Sequence, residues 1–63
     1  MTPRDKAIKD LKNAGYTFDR HGSNHDIYWS RELNRKISLK RHDFDDHDRA
    51  YINKEIRKNQ QSF

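Results

Sequence analysis

Apolar residues fall along this chain in two rhythms, and the change from one to the other divides it into helix, strands and helix. Ala7, Ile8, Leu11 and Ala14 recur at three- and four-residue spacing, which predicts one narrow apolar stripe on an N-terminal helix. Thr2 can cap that helix, Pro3 suits its first position, Asp5 completes the Thr-x-x-Asp capping pattern, and Gly15 ends it. From Tyr16 the period becomes two. Tyr16 to His21 reads as a half-buried strand with Tyr16 and Phe18 inward. His25 to Ser30 reads as a second strand with Ile27 and Trp29 inward, joined to the first as an antiparallel hairpin by Gly22-Ser23-Asn24. After a polar turn over Arg31 to Asn34, Arg35 to Lys40 alternates again, with Ile37 and Leu39 inward. The acidic run Asp43 to Asp48 suits a helix N-terminus, where carboxylates cap free amides and oppose the dipole. It predicts a second helix from about Asp46 to Lys58, with Ala50, Tyr51, Ile52 and Ile56 as its stripe and Asn59 to Ser62 frayed.

This order predicts an α+β fold: a two-layer α-β-β-β-α sandwich with a three-stranded antiparallel sheet, one domain spanning residues 1–63. Both helices then cover one sheet face. Strand parity leaves the other face wet, carrying Thr17, Asp19, His21, Asp26, Tyr28, Ser30, Lys36, Ser38 and Lys40. The expected core is Ile8, Leu11, Tyr16, Phe18, Ile27, Trp29, Ile37, Leu39, Tyr51, Ile52 and Ile56.

Composition narrows the partners. Hydrophobic residues are 30% and charged residues 38% of 63, so the core is thin, and a chain this short buries only about 60% of the surface its unfolded form exposes. A formal charge of +4 and an isoelectric point near 9.6 favour a polyanionic partner, nucleic acid ahead of a membrane surface. With no cysteine there is no disulfide framework, thiolate nucleophile or cysteine-based zinc site, which points to the cytoplasm. Met1 to Lys6 lacks the apolar run of a signal peptide, and no segment approaches the ~20 apolar residues of a membrane span.

The chemistry available lies in four histidines: His21, His25, His42 and His47. Imidazole has an ordinary pKa of about 6.5 and exchanges protons near neutral pH without tuning. RNA supplies its own nucleophile, the 2′-hydroxyl, so its cleavage needs a base, an acid and cations for the phosphate. His25 has the best setting, because the amides of Gly22, Ser23 and Asn24 can hold a phosphate beside it; the alternative is a hairpin histidine with no role. Parity places it with Ile27 and Trp29, at the rim of the core side. His21 lies across the same turn, either as a second proton-transfer group or as a solvated strand end. Lys36, Lys40, Arg41 and His42 read as phosphate contacts or as a solvated basic face. Tyr28 reads as a base-stacking residue or as a cross-strand packing one. The acids around His42 and His47 lack the glycine and terminal glutamate of a calcium loop and the spacing of a zinc helix, so no metal or other cofactor is expected.

The element order, the stretch Gly22-Ser23-Asn24-His25-Asp26-Ile27-Tyr28 and the later Lys40-Arg41-His42 together resemble the HicA toxins of HicA-HicB toxin-antitoxin modules. The resemblance covers the chain from the first helix to about Lys58. It departs from the family at Lys40, where many members have proline, and in the acidic run from Asp43. It implies a fold similar to double-stranded RNA-binding domains and a metal-independent mRNA interferase, an endoribonuclease whose catalytic residue is His25. Beside it, the reading of the residues gives Ser23, Asn24, Tyr28, Lys36, Lys40, Arg41 and His42 as candidate RNA contacts. It also implies a HicB-like antitoxin partner that covers the active site, and no direct DNA or membrane contact by this chain. Two other readings compete: a non-catalytic RNA-binding module of the same fold, and a small phage-encoded protein-interaction domain.

Overall fold

The computed structural model describes residues 1–61, in the order α1 (Pro3–Asn13), β1 (Tyr16–His21), β2 (His25–Ser30), β3 (Arg35–Lys40) and α2 (Asp46–Gln60). The strands form one antiparallel sheet in the order β1-β2-β3, and the helices pack against each other on one of its faces. The fold is the α+β sandwich that the hydrophobic rhythm predicts.

Both helix starts are built as capping boxes. In α1 the Thr2 hydroxyl accepts from the Asp5 amide at 3.1 Å while the Asp5 carboxylate accepts from the Thr2 amide at 3.3 Å. In α2 Asp45 and Asp48 exchange the same pair of bonds, which is where two of the acids of the 43–48 run go. Gly15 takes φ +92 just beyond the end of α1, a left-handed conformation that L side chains rarely adopt. The helices are then pinned by Asp10 of α1, whose carboxylate accepts from Arg49 Nε and Asn53 Nδ2 of α2, both at 2.9 Å.

Ala7, Leu11, Tyr16, Tyr28, Ile37, Leu39, Ile52 and Ile56 are the buried hydrophobic residues. Five members of the expected core are missing from this set: Ile8, partly buried, still packs against it, and four others are displaced. Phe18 is 47% exposed and Tyr51 is 58% exposed, while Ile27 and Trp29 lie half-buried on the sheet face that no helix covers. The face assignment of β2 is the reverse of the one its apolar residues suggest: Asp26, Tyr28 and Ser30 point toward the helices. Register dictates this. Tyr28 pairs with Ile37 and Asp26 with Leu39, and directly paired residues share a face, so the inward pair of β3 fixes which side of β2 is inward.

Two further corrections follow from the ladder and the helix end. A bulge between Phe18 and Arg20 shifts the register of β1, which moves His21 off the open face and places it opposite Asp26. At the other end α2 runs on through Asn59, whose side-chain amide donates to the Tyr16 hydroxyl at 2.9 Å, so the expected fraying does not begin there. The hydroxyl, the one polar atom of a fully buried tyrosine side chain, thereby has its partner. Ser62 and Phe63 lie outside the described residues.

Candidate active site

The Gly22-Ser23-Asn24 turn is held in place by Arg41, which arrives from the residue just after β3. Arg41 donates its backbone amide to the Asn24 carbonyl at 3.3 Å, and its Nη2 donates to the Gly22 carbonyl at 2.8 Å and to the Ser23 carbonyl. One residue thus ties down three successive residues of the turn, two through its side chain and one through its backbone. Within the turn, Gly22 N donates to the His25 carbonyl at 2.6 Å. A Cβ at position 22 would sit 2.9 Å from that same carbonyl oxygen, so this close approach requires glycine. Gly22→Ala is accordingly expected to cost about 0.5–3 kcal/mol, read as a lowered midpoint in thermal unfolding followed by circular dichroism; an unchanged midpoint would show that the turn gives way freely.

Beneath the turn lies Asp26, buried and faced by two arginines and a histidine from three other parts of the chain. Its Oδ2 accepts from Arg4 Nη2 of α1 at 2.6 Å, its Oδ1 is 2.7 Å from His21 Nδ1, and Arg41 Nη1 stands 3.9 Å from Oδ1. Arg4 also donates Nε to the Lys40 carbonyl at 3.0 Å. The hydrogen bond from His21, followed by that from Arg4, holds the Asp26 carboxyl below its ordinary value against the opposing effect of burial. An ionised carboxylate only accepts, so the proton of the His21–Asp26 bond belongs to His21 Nδ1. One Arg41 atom, Nε, is buried without a hydrogen-bond partner among the described residues, the cost of aiming the fork of the guanidinium at the turn.

His25 begins β2 on the open face, exposed, at the end of this braced turn. It lines a shallow hollow of ≈260 Å³ with Gly22, Ser23, Asn24, Ile27 and Ser38. The inversion of β2 thus moves His25 from the expected rim of the core to a face that solvent reaches. Its strand partner is Lys40, whose ammonium donates to the Asp43 carbonyl at 3.1 Å and stands 3.6 Å from the Asp48 carboxylate. An adjoining hollow of ≈290 Å³ is shared by Asn24, His25, Lys40, His42 and Asp43, and another of ≈250 Å³ brings Lys36, Ser38, Tyr51 and Glu55 to His25.

Six of the sequence-derived candidates therefore meet around one surface: Ser23, Asn24, His25, Lys36, Lys40 and His42. Two do not. Tyr28 is 6% exposed on the helix side, with its ring edge-on to Phe18 at 5.9 Å between centroids, so it cannot stack on a base. Arg41 spends Nη2 on the turn carbonyls and turns Nη1 toward Asp26, which makes it a brace for the His25 loop where the sequence suggested a phosphate contact. His21 is likewise engaged with Asp26 on the opposite side of the sheet from His25, so the two cannot serve one phosphate.

Tyr51 is the residue that sequence reasoning misplaced in the other direction. Its exposed ring lines two of the hollows that His25 lines. Helical geometry holds the signal: Ile52 and Ile56 are four apart and buried, and Tyr51 lies about 100° around the helix from Ile52. Among the described residues no three histidine, aspartate or glutamate side chains gather as a metal-holding group. Nor, among the described residues, is any helix long and apolar enough to cross a membrane.

The Gly22 amide is spent on the His25 carbonyl and is not free for a phosphate, contrary to the expectation from sequence. An exposed imidazole with the side chains of Ser23, Asn24 and Ser38 on one side and lysine ammonium groups on the other can still exchange a proton with a bound phosphodiester while cations hold its charge. Comparison with family models, with curated proteins and with solved structures finds no match for this chain.

Proposed function

We propose that this chain is a metal-independent endoribonuclease that cuts mRNA with His25 as general acid or base, and that it acts as the toxin of a toxin-antitoxin module. The observation that carries the reading is the placement of His25: exposed on the uncovered sheet face, at the end of a turn fixed by Arg41, with Lys40 directly across the ladder. A flexible histidine needs no such bracing, whereas a proton-transfer group does, because the reacting atoms must be held near attack distance. Ser23, Asn24, Lys36 and His42 are the contacts assigned to the RNA backbone. The resemblance to HicA toxins supplies the biological role, with a HicB-like antitoxin as the neutralising partner and the cytoplasm as the place of action.

One observation favours a second reading, an RNA-binding module without catalysis: the His25 ring forms no hydrogen bond to an orienting carboxylate among the described residues. A single experiment separates the two. Purified protein incubated with end-labelled mRNA in excess EDTA is expected to yield shortened products on a denaturing gel. A retarded band with RNA of full length would assign the chain to binding alone, and products that vanish with EDTA would make the chemistry metal-dependent.

A further inference from the structure

We infer that the open sheet face is a track for single-stranded RNA, in which Trp29 is a base-stacking platform and Lys36, directly opposite it on β3, is a phosphate contact. The inference rests on the reading of the site above and extends it to the substrate beyond the reacting phosphate.

His25, Ile27 and Trp29 occupy alternate positions of β2 and so share the uncovered face. Trp29 is only half-buried there, between Thr17 on β1 and Lys36 on β3. Among the described residues the aromatic pairs, Phe18 with Tyr28 and Phe18 with His21, belong to the other side of the sheet, and Trp29 joins neither. A large ring left without an aromatic partner on an open face is available to a planar ligand. The charges around it say which. The Lys36 side chain forms no hydrogen bond or ion pair among the described residues, Arg31 is exposed beside Glu32 at the adjoining turn, and no open-face position of β2 or β3 carries an acid, the acid that shares a hollow with Lys36 being Glu55 of α2. Aromatic rings set among cations suit stacked bases joined by phosphates.

Geometry then selects the strandedness. Trp29 stands four residues from His25 along one strand, about 13 Å at the usual rise, so a base stacked on it belongs to a neighbouring nucleotide and not to the one being cut. In a duplex both faces of every base are already stacked, and an A-form helix offers only its shallow groove and backbone. Only an unpaired strand can present a base face to Trp29 while its backbone continues to His25.

Trp29 is the sole tryptophan of the chain, so its fluorescence reports on this position alone. In the His25→Ala protein, where RNA is to remain uncut, a short single-stranded oligoribonucleotide is expected to quench that emission. The same sequence annealed to its complement should leave it unchanged. Trp29→Ala should weaken binding of the single strand, followed by fluorescence anisotropy of a labelled RNA, by about tenfold; Trp29→Phe, which keeps a ring and guards against misfolding, should weaken it less. Emission unaltered at saturating single-stranded RNA, or unchanged affinity in both variants, would overturn the inference and leave the face to a protein partner. RNA that quenches Trp29 but is never shortened by the unmodified protein removes the nuclease reading and leaves the track standing. RNA that is cut without quenching does the reverse.

Discussion

His25→Ala is expected to reduce RNA cleavage by about 10²–10⁴-fold, the usual contribution of a positioned general acid or base, while leaving thermal unfolding where it was. The separation of the two effects follows from where the residue stands. Its side chain is exposed and forms no hydrogen bond or ion pair among the described residues, so the fold loses little when it is removed. The turn that carries it is fixed by backbone carbonyls and Arg41, and these remain in the alanine protein. Growth arrest on expression in a bacterial host should disappear in parallel with the cleavage products. An alanine protein that cuts RNA and arrests growth at full strength would remove His25 from the chemistry.

Asp26→Ala should have the opposite profile, abolishing activity because the protein no longer folds. Removing one partner of a buried ion pair costs about 3–5 kcal/mol, since it strands the opposing charges. A domain of this length holds about 3–9 kcal/mol in all, at the usual stability per residue. The loss is therefore comparable with the whole. Arg4 and Arg41, which are 25% and 30% exposed in their side chains, would be left facing an empty, partly dry site beside His21. Circular dichroism at 37 °C should show an unfolded chain, whereas Asp26→Asn, which keeps the shape and some hydrogen bonding, should remain folded with a lowered midpoint.

The same carboxylate sets a pH dependence whose sign is fixed by its environment. The folded-state pKa of Asp26 lies below the ordinary carboxylate value, so the stability it contributes is fully present above that ordinary value and is lost as pH falls through the folded one. Asp10, held down by its hydrogen bond from Arg49, acts in the same direction. Acid unfolding below about pH 4 should thus be shallower in Asp26→Asn than in the unmodified protein; parallel curves would mean that Asp26 carries no such linkage.

The elements themselves were legible because their signals are local. Thr2, Asp5 and Gly15 bound the first helix, and the acids from Asp43 open the second; each acts on amides within a few residues. The faces of β2 were not, because what decides them lies far away in sequence. Ile27 and Trp29 are the more apolar residues, so periodicity alone turns them inward. The register with Ile37 and Leu39 turns them outward, and Arg4, His21 and Arg41 make it tolerable for Asp26 to go in. A single bulged residue in β1 then reverses His21, and no composition rule marks it. In the site, His25 was visible as a histidine beside a glycine turn. The redirection of Arg41 from substrate to turn was not, since a guanidinium reads the same whether its target is a phosphate or a carbonyl.

The knot around Asp26 also bears on when the site comes into being. Its members stand at positions 4, 21, 26 and 41, drawn from the first helix, the first two strands and the end of the third. Contacts of such wide sequence separation close late, after the entropy of the intervening loops has been lost. The turn bearing His25 therefore cannot take its final shape in a chain whose N-terminal helix has yet to dock. Assembly of the reactive surface and completion of the fold are a single cooperative event, and a half-made chain carries its histidine on a loose loop.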